Sequence, residues 1–150
     1  MSHQVALSKL QYSNINLLKE AIAKEGLETT VSQHGWMQTW KAGEHVNGGI
    51  LEFGIKIGQK SPIGVYKMPD NTYKLIGDEW NVSYKGVPGL RNLSSRLDQR
   101  YRIAETEQFV NQNGWEIVSM PADLVPYDSK EGFDIVIAPV KETVNVGMYI

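Results

Sequence analysis

Five basic side chains cluster near the middle of the chain: Arg91, Arg96, Arg100 and Arg102, with Lys85 just ahead of them. Arg96 and Arg100 are four apart and share a face if the segment is helical, whereas Arg102 lies elsewhere. Guanidinium forks so placed suit phosphate or carboxylate oxygens. Asp98, Glu105 and Glu107 dilute the stripe, so a solvated helix face is the plainer reading. Trp36 and Trp40, beside His34, Met37 and His45, form a second cluster, in which aromatic anchors either contact something outside the fold or fill its core.

Other chemistry is less well supported. His3, His34 and His45 lack the i,i+2 or i,i+4 pairing that commonly seeds a metal site, so a metal would need two of them to meet in space with an acid such as Glu44. The run Gly54-Ile55-Lys56-Ile57-Gly58-Gln59-Lys60-Ser61 misses the phosphate-loop pattern. Gln59 separates glycine from lysine, Pro62 follows Ser61, and the alternation through Ile57 demands a strand rather than a helix start. Asp78 and Glu79, beside Trp80, offer two carboxylates for acid–base work, but neighbours on a strand point to opposite faces. A strand end with Trp80 as a core or interface anchor is the expectation there.

Composition removes several classes. The 150 residues suit one domain and bury enough surface for a core unaided. A formal net charge of −2 gives the chain as a whole no attraction to nucleic acid or anionic membrane. There is no cysteine, which excludes disulfides, thiolate metal sites and thiol nucleophiles together. No basic flank precedes an apolar block at the N-terminus, and no apolar run approaches the ~20 residues that span a bilayer. A soluble, intracellular protein is expected. The glycosylation patterns at Asn81-Val82-Ser83 and Asn92-Leu93-Ser94 carry no weight in that setting.

Periodicity supplies the elements that must hold these residues. Gln4 to Gln11 alternates and predicts a first strand. Ile15, Leu18 and Ile22, flanked by Leu17 and Ala21, predict a helix to Glu25, with Ser13 or Asn14 accepting at its start and Gly26 as the stop. Leu27 to Gln33 predicts a strand returning beside the first. Gly49 to Ile57 alternates cleanly, and segments 63–67 and 72–76 around Pro69-Asp70-Asn71 predict a hairpin. After Val87-Pro88-Gly89, the spacing of Leu90, Leu93, Leu97, Tyr101 and Ala104 predicts the longest helix, ending at Gly114. Trp115 to Met120, Phe133 to Ala138 and Thr143 to Ile150 follow as short strands, with Asp128 to Gly132 as a turn.

Gly26-Leu27-Glu28-Thr29-Thr30-Val31-Ser32 and Gly114-Trp115-Glu116-Ile117-Val118-Ser119 read alike as glycine, large apolar residue, glutamate and strand. If this is a duplication, two strand–helix–strand units share one antiparallel sheet in a ferredoxin-like layer. The expected fold is therefore α+β, an antiparallel sheet with two helices on one face. Residues 1–120 form the domain, and 121–150 form a C-terminal β-hairpin extension packed on it.

The opening Met1-Ser2-His3, the helix segment Leu17-Leu18-Lys19-Glu20-Ala21-Ile22, the block Tyr73-Lys74-Leu75-Ile76-Gly77-Asp78-Glu79-Trp80, and Leu93, Leu97, Gln99-Arg100-Tyr101 and Gly114 form an ordered set. Together they resemble the family named for hypothetical chloroplast reading frame thirty-five, found in plastids, cyanobacteria, other bacteria and some phages. The resemblance covers roughly residues 1–120 and implies a small α+β protein of the stroma or bacterial cytoplasm, with no established reaction. Gln4 and Glu79 depart from the family pattern, His34 to Gly49 is enlarged, and residues 121–150 have no counterpart in it. A divergent member, such as one carried by a phage, fits these departures.

Two functions remain open from the sequence. The first is a non-catalytic binding or assembly module, oligomeric, acting through the Trp36–His45 loop, the basic helix or a sheet edge. The second is a small-molecule or nucleotide binder with a pocket at the Gly58–Gly64 loop, where Lys56, Lys60, Tyr66, Arg96 and Arg100 supply polar contacts. No cofactor is expected, and nucleic acid ranks lowest among partners.

Overall fold

The computed structural model describes residues 4–6, 12–31, 48–57, 60–78 and 83–140. Strand β1 (Gln4–Ala6) leads to helix α1 (Ile15–Lys24), then to strands β2 (Thr29–Val31), β3 (Ile50–Ile57), β4 (Lys60–Lys67) and β5 (Tyr73–Asp78). A small hairpin, β6 (Ser83–Tyr84) with β7 (Val87–Pro88), precedes helix α2 (Arg91–Asn113), which is followed by β8 (Trp115–Ser119) and β9 (Val136–Pro139). The class is α+β, and β1 to β5 form one antiparallel sheet in the order β1-β5-β4-β3-β2.

Both helices cover one face of that sheet. Leu17, Leu18, Ala21 and Ile22 of α1 and Leu93, Leu97, Tyr101 and Ala104 of α2 share a core with Phe53, Ile55, Ile63, Val65 and Leu75. The 3,4,4,3 apolar spacing of the second helix is thus its buried stripe, as the periodicity predicts. Tyr66, Met68 and Ile76, with Leu51, form a smaller cluster on the opposite face of the sheet.

Local chemistry sets the element ends. Asn14 accepts from the backbone N–H groups of Asn16 and Leu17 at 2.9 and 3.2 Å, capping α1. At the other end Gly26 takes φ 81°, and the N–H groups of Gly26 and Leu27 return to the carbonyls of Ala23 and Ile22, the paired closure that a left-handed glycine permits. The β4–β5 turn is held by Asp70, whose carboxylate accepts from the Thr72 N–H and hydroxyl. Those bonds keep its pKa below the ordinary value.

Three features differ from the sequence reading. β2 does not lie beside β1: the two occupy opposite edges, because the β3–β4–β5 meander fills the space between them and α1 crosses the sheet. The apparent duplication ends at the glycine-terminated helix, since β8 pairs with β9 in a separate two-stranded sheet. A 23-residue helix is ~34 Å long, enough to carry the chain past the sheet before β8 begins. The segment before α2 is not a simple connection but a hairpin, turned by Lys85 at φ 51° and Gly86 at φ 80°, as a two-residue primed turn requires. The strand expected at Thr143–Ile150 lies outside the described residues.

Candidate functional site

Glu25 is the residue immediately after the last turn of α1, and its side chain is fully buried. Its Oε2 accepts from Arg96 Nε at 2.6 Å and from the Tyr84 hydroxyl at 2.5 Å, while Oε1 accepts from Arg100 Nε at 2.6 Å. Lys85 Nζ stands 3.8 Å from Oε2. One carboxylate therefore ties α1, the β6–β7 hairpin and α2 together. Burial alone would raise its pKa, but the donors Arg96, Tyr84 and Arg100 outweigh that and hold it below the ordinary carboxylate value. Conversely, the Tyr84 phenol is pushed up, first by burial and then by donating to Glu25. Arg96 is held more firmly protonated by its bond to Glu25.

Asp98, on another side of α2, has a different setting. Its Oδ1 accepts from the Tyr12 hydroxyl, and Tyr12 itself packs edge-on against Tyr101 with ring centroids 4.7 Å apart. Burial pushes this carboxyl up to about 7, against the pull of Arg102. The bond from Tyr12 is compatible with either protonation state, because a neutral carboxyl keeps an accepting oxygen. Tyr101 completes the corner: its hydroxyl accepts from the backbone N–H groups of Ser13 and Asn14 at 3.2 and 3.0 Å, fixing the approach to α1.

The outer side of α2 is crossed by a strap, residues 120–133. Gln99 pins it with two bonds, Nε2 to the Val125 carbonyl at 2.8 Å and Oε1 from the Val125 N–H at 2.7 Å. Phe133 is buried and seats the far end. On either side of the pin lies a hollow. One, of about 480 Å³, runs beneath Val125 to Phe133 and is lined by Arg91, Asp98 and Arg102. The other, of about 280 Å³, lies between Arg96, Arg100, Ile103 and residues 120–124.

The sequence candidates divide accordingly. Arg96 and Arg100 are brought together and are mostly buried, with side-chain exposures of 22 % and 24 %, which overturns the plainer reading of a solvated face for these two, whereas Arg91 and Arg102 are exposed as that reading expects. Lys56 pairs with Glu28 at 3.6 Å, and Tyr66 belongs to the far face of the sheet, so neither joins the arginines in one pocket. Lys60 opens β4, opposite Ile57. His3, His34, Trp36, Trp40, Glu44, His45, Glu79 and Trp80 lie outside the described residues, as do Gly58 and Gln59. Asp78 pairs through its backbone with Gln4 at the end of β5. Among the described residues there is no group of three or more histidines or acids able to hold a metal ion. Among them, too, no helix is long and apolar enough to cross a membrane.

Sequence reasoning passed over Glu25, Tyr84 and Tyr12, and read Asp98 only as dilution of positive charge. Asp98 had a legible signal: it adjoins Leu97 and precedes Tyr101 by three, which puts it at the margin of the apolar stripe. Glu25 had none beyond its place before a helix-ending glycine. No protein-family model matches the chain, and no curated protein or solved structure is detectably similar to it.

Proposed function

We propose that this protein is a non-catalytic binding module whose ligand or partner carries negative charge, with α2 and the strap over it as the recognition surface. The observation that carries the reading is the placement of the four α2 arginines: Arg91 and Arg102 line one hollow beside the strap, and Arg96 and Arg100 line the other. Guanidinium groups gathered at the wall of a hollow bind oxyanions more strongly than the same groups scattered over open surface. Self-association belongs to the same reading, supported by Val118, Val136 and Val140, which expose apolar surface around the β8–β9 ladder. A cytoplasmic or stromal setting, and membership of the family named for reading frame thirty-five, go with it. Gln99 and Arg100, two residues of that resemblance, hold the strap and the Glu25 cluster against α2, and Tyr101, a third, fixes the approach to α1.

A small-molecule ligand is favoured over a macromolecular one by the larger hollow, whose volume falls within the range of ~300–1,000 Å³ usual for such sites. The melting temperature measured against di- and tricarboxylates, phosphorylated sugars, nucleotides and acidic peptides, each beside a neutral analogue, tests the reading. An anionic compound should raise it by several degrees at saturation, less so at high salt. Equal response to anionic and neutral partners, or none to either, defeats it. Sedimentation over a range of concentrations tests self-association separately.

A further inference from the structure

We propose that the hollow between Arg96, Arg100 and residues 120–124 is a site for a single phosphoryl group, free or carried as a monoester on a small molecule. This rests on the binding reading above and names the ligand chemistry of one of its two hollows. The argument begins with a charge imbalance. One buried carboxylate, Glu25, faces three cations, Arg96, Arg100 and Lys85, within 3.8 Å. Two guanidinium groups are thereby held close together on the two oxygens of one acid, and their surplus positive charge makes a further anion on the other side favourable. The hollow is that other side, and both arginines line it. Asp123, exposed at its margin, is the one acid among the described residues that lines it, and with Lys85 counted the local balance stays positive.

Geometry favours phosphate over carboxylate. Each arginine commits Nε to Glu25, so what it presents elsewhere is its Nη pair. Two guanidinium groups from successive turns of α2 bring several N–H donors to one hollow, which suits a group with three free oxygens better than one with two. Ile103, Met120, Pro121 and Leu124 add apolar surface to the walls, which lowers the local polarity and strengthens the ion pairs. At about 280 Å³ the hollow is just below the size usual for drug-sized ligands, which fits a phosphoryl head with a short carrier rather than a whole nucleotide. Glu25 acts here as a positioning residue: it aims both forks before any ligand arrives.

Calorimetric titration of the full chain with inorganic phosphate, glycerol 3-phosphate and acetate at constant ionic strength tests this, with thermal unfolding of each variant in parallel. The wild-type protein should bind both phosphates at one site per chain and acetate at least about tenfold more weakly, the worth of one lost charged hydrogen bond. Arg100→Lys keeps the positive charge beside Glu25 but removes the fork. It should weaken phosphate about tenfold by the same measure, while the loss of its bond to Glu25 lowers the melting temperature by a few degrees and leaves the unfolding transition cooperative. Lys67→Gln, at the end of β4 and away from both hollows, should leave phosphate affinity unchanged. The inference is overturned if acetate binds as well as phosphate, if Arg100→Lys has no effect, if Lys67→Gln abolishes binding, or if neither phosphate binds the wild-type chain. Were it overturned while another anion still raised the melting temperature through Arg91 and Arg102, the binding reading would stand without it.

Discussion

Glu25 and Asp98 are both carboxylates withdrawn from water against α2, yet their surroundings drive them in opposite directions. Glu25 receives two guanidinium groups and a phenol, and it stays ionised well into acid. Among the described residues Asp98 has one phenol as donor and the weaker pull of Arg102 a helical turn away, and burial carries its pKa to about 7. Burial is thus common to both, and the number of donors decides the sign. The consequence is a division of labour along one helix: the Glu25 side is a rigid anchor, and the Asp98 side is a group that changes charge near neutrality.

The strongest way to break this contrast is Glu25→Ala, which leaves Arg96 and Arg100 facing each other without their shared acid. It should cost about 3–5 kcal/mol of stability in denaturant unfolding at neutral pH, the range for removing one partner of a buried ion pair. A loss below about 1 kcal/mol, typical of surface pairs, would mean that the cluster is solvated and does not hold the helices together.

Asp98→Asn should act in the other direction. A carboxyl whose folded pKa is about 7, against an ordinary 3.8, carries no ionisation penalty below the lower value and the full penalty above the upper one. Wild-type stability should therefore fall between those two pH values, and the asparagine variant should not show that fall. Its advantage should be about 1–2 kcal/mol above neutrality, discounted for the solvent in the adjoining hollow, and should vanish in acid. Glu25 contributes oppositely: its stabilisation is present above 4.5, its ordinary value, and is lost as pH drops through its lowered folded value. A urea series across pH on wild type, Asp98→Asn and Glu25→Gln separates the two limbs. An Asp98→Asn advantage that is independent of pH would remove the contrast.

The smallest effect sharpens it. Tyr12→Phe deletes the one donor that Asp98 has among the described residues while keeping the ring against Tyr101. It should cost about 0.5–1.5 kcal/mol above neutrality, where the acceptor is ionised, and less in acid. The same deletion should raise the midpoint of the Asp98 titration followed by carboxyl NMR shifts. A lowered midpoint would show that burial is not the dominant influence.

The helices, the β3 strand and the β4–β5 hairpin were legible because their apolar residues follow the 3.6 and 2 periods of the backbone, and because Asn14, Gly26, Asp70 and Gly114 carry local end signals. The buried charges were not. Glu25 meets partners 59, 71 and 75 residues away, and no local pattern encodes such a meeting. Strand order failed for the same reason: which edge β2 joins depends on where the β3–β5 meander goes, not on β2's own residues. Arg96 and Arg100 were recognised as sharing a face, but their burial depends on Glu25 and the strap, both supplied from elsewhere in the chain.

The Gln99 clamp on Val125 places an unusual constraint on variation. A side-chain amide that bonds both the N–H and the carbonyl of one residue behaves like a neighbouring strand and reads no side chain. Position 125 should then accept many residue types without loosening the strap, proline excepted, since it lacks the N–H. Because Val125 also lines the larger hollow, this is a place where ligand preference could drift through substitution while the architecture around it stays constant.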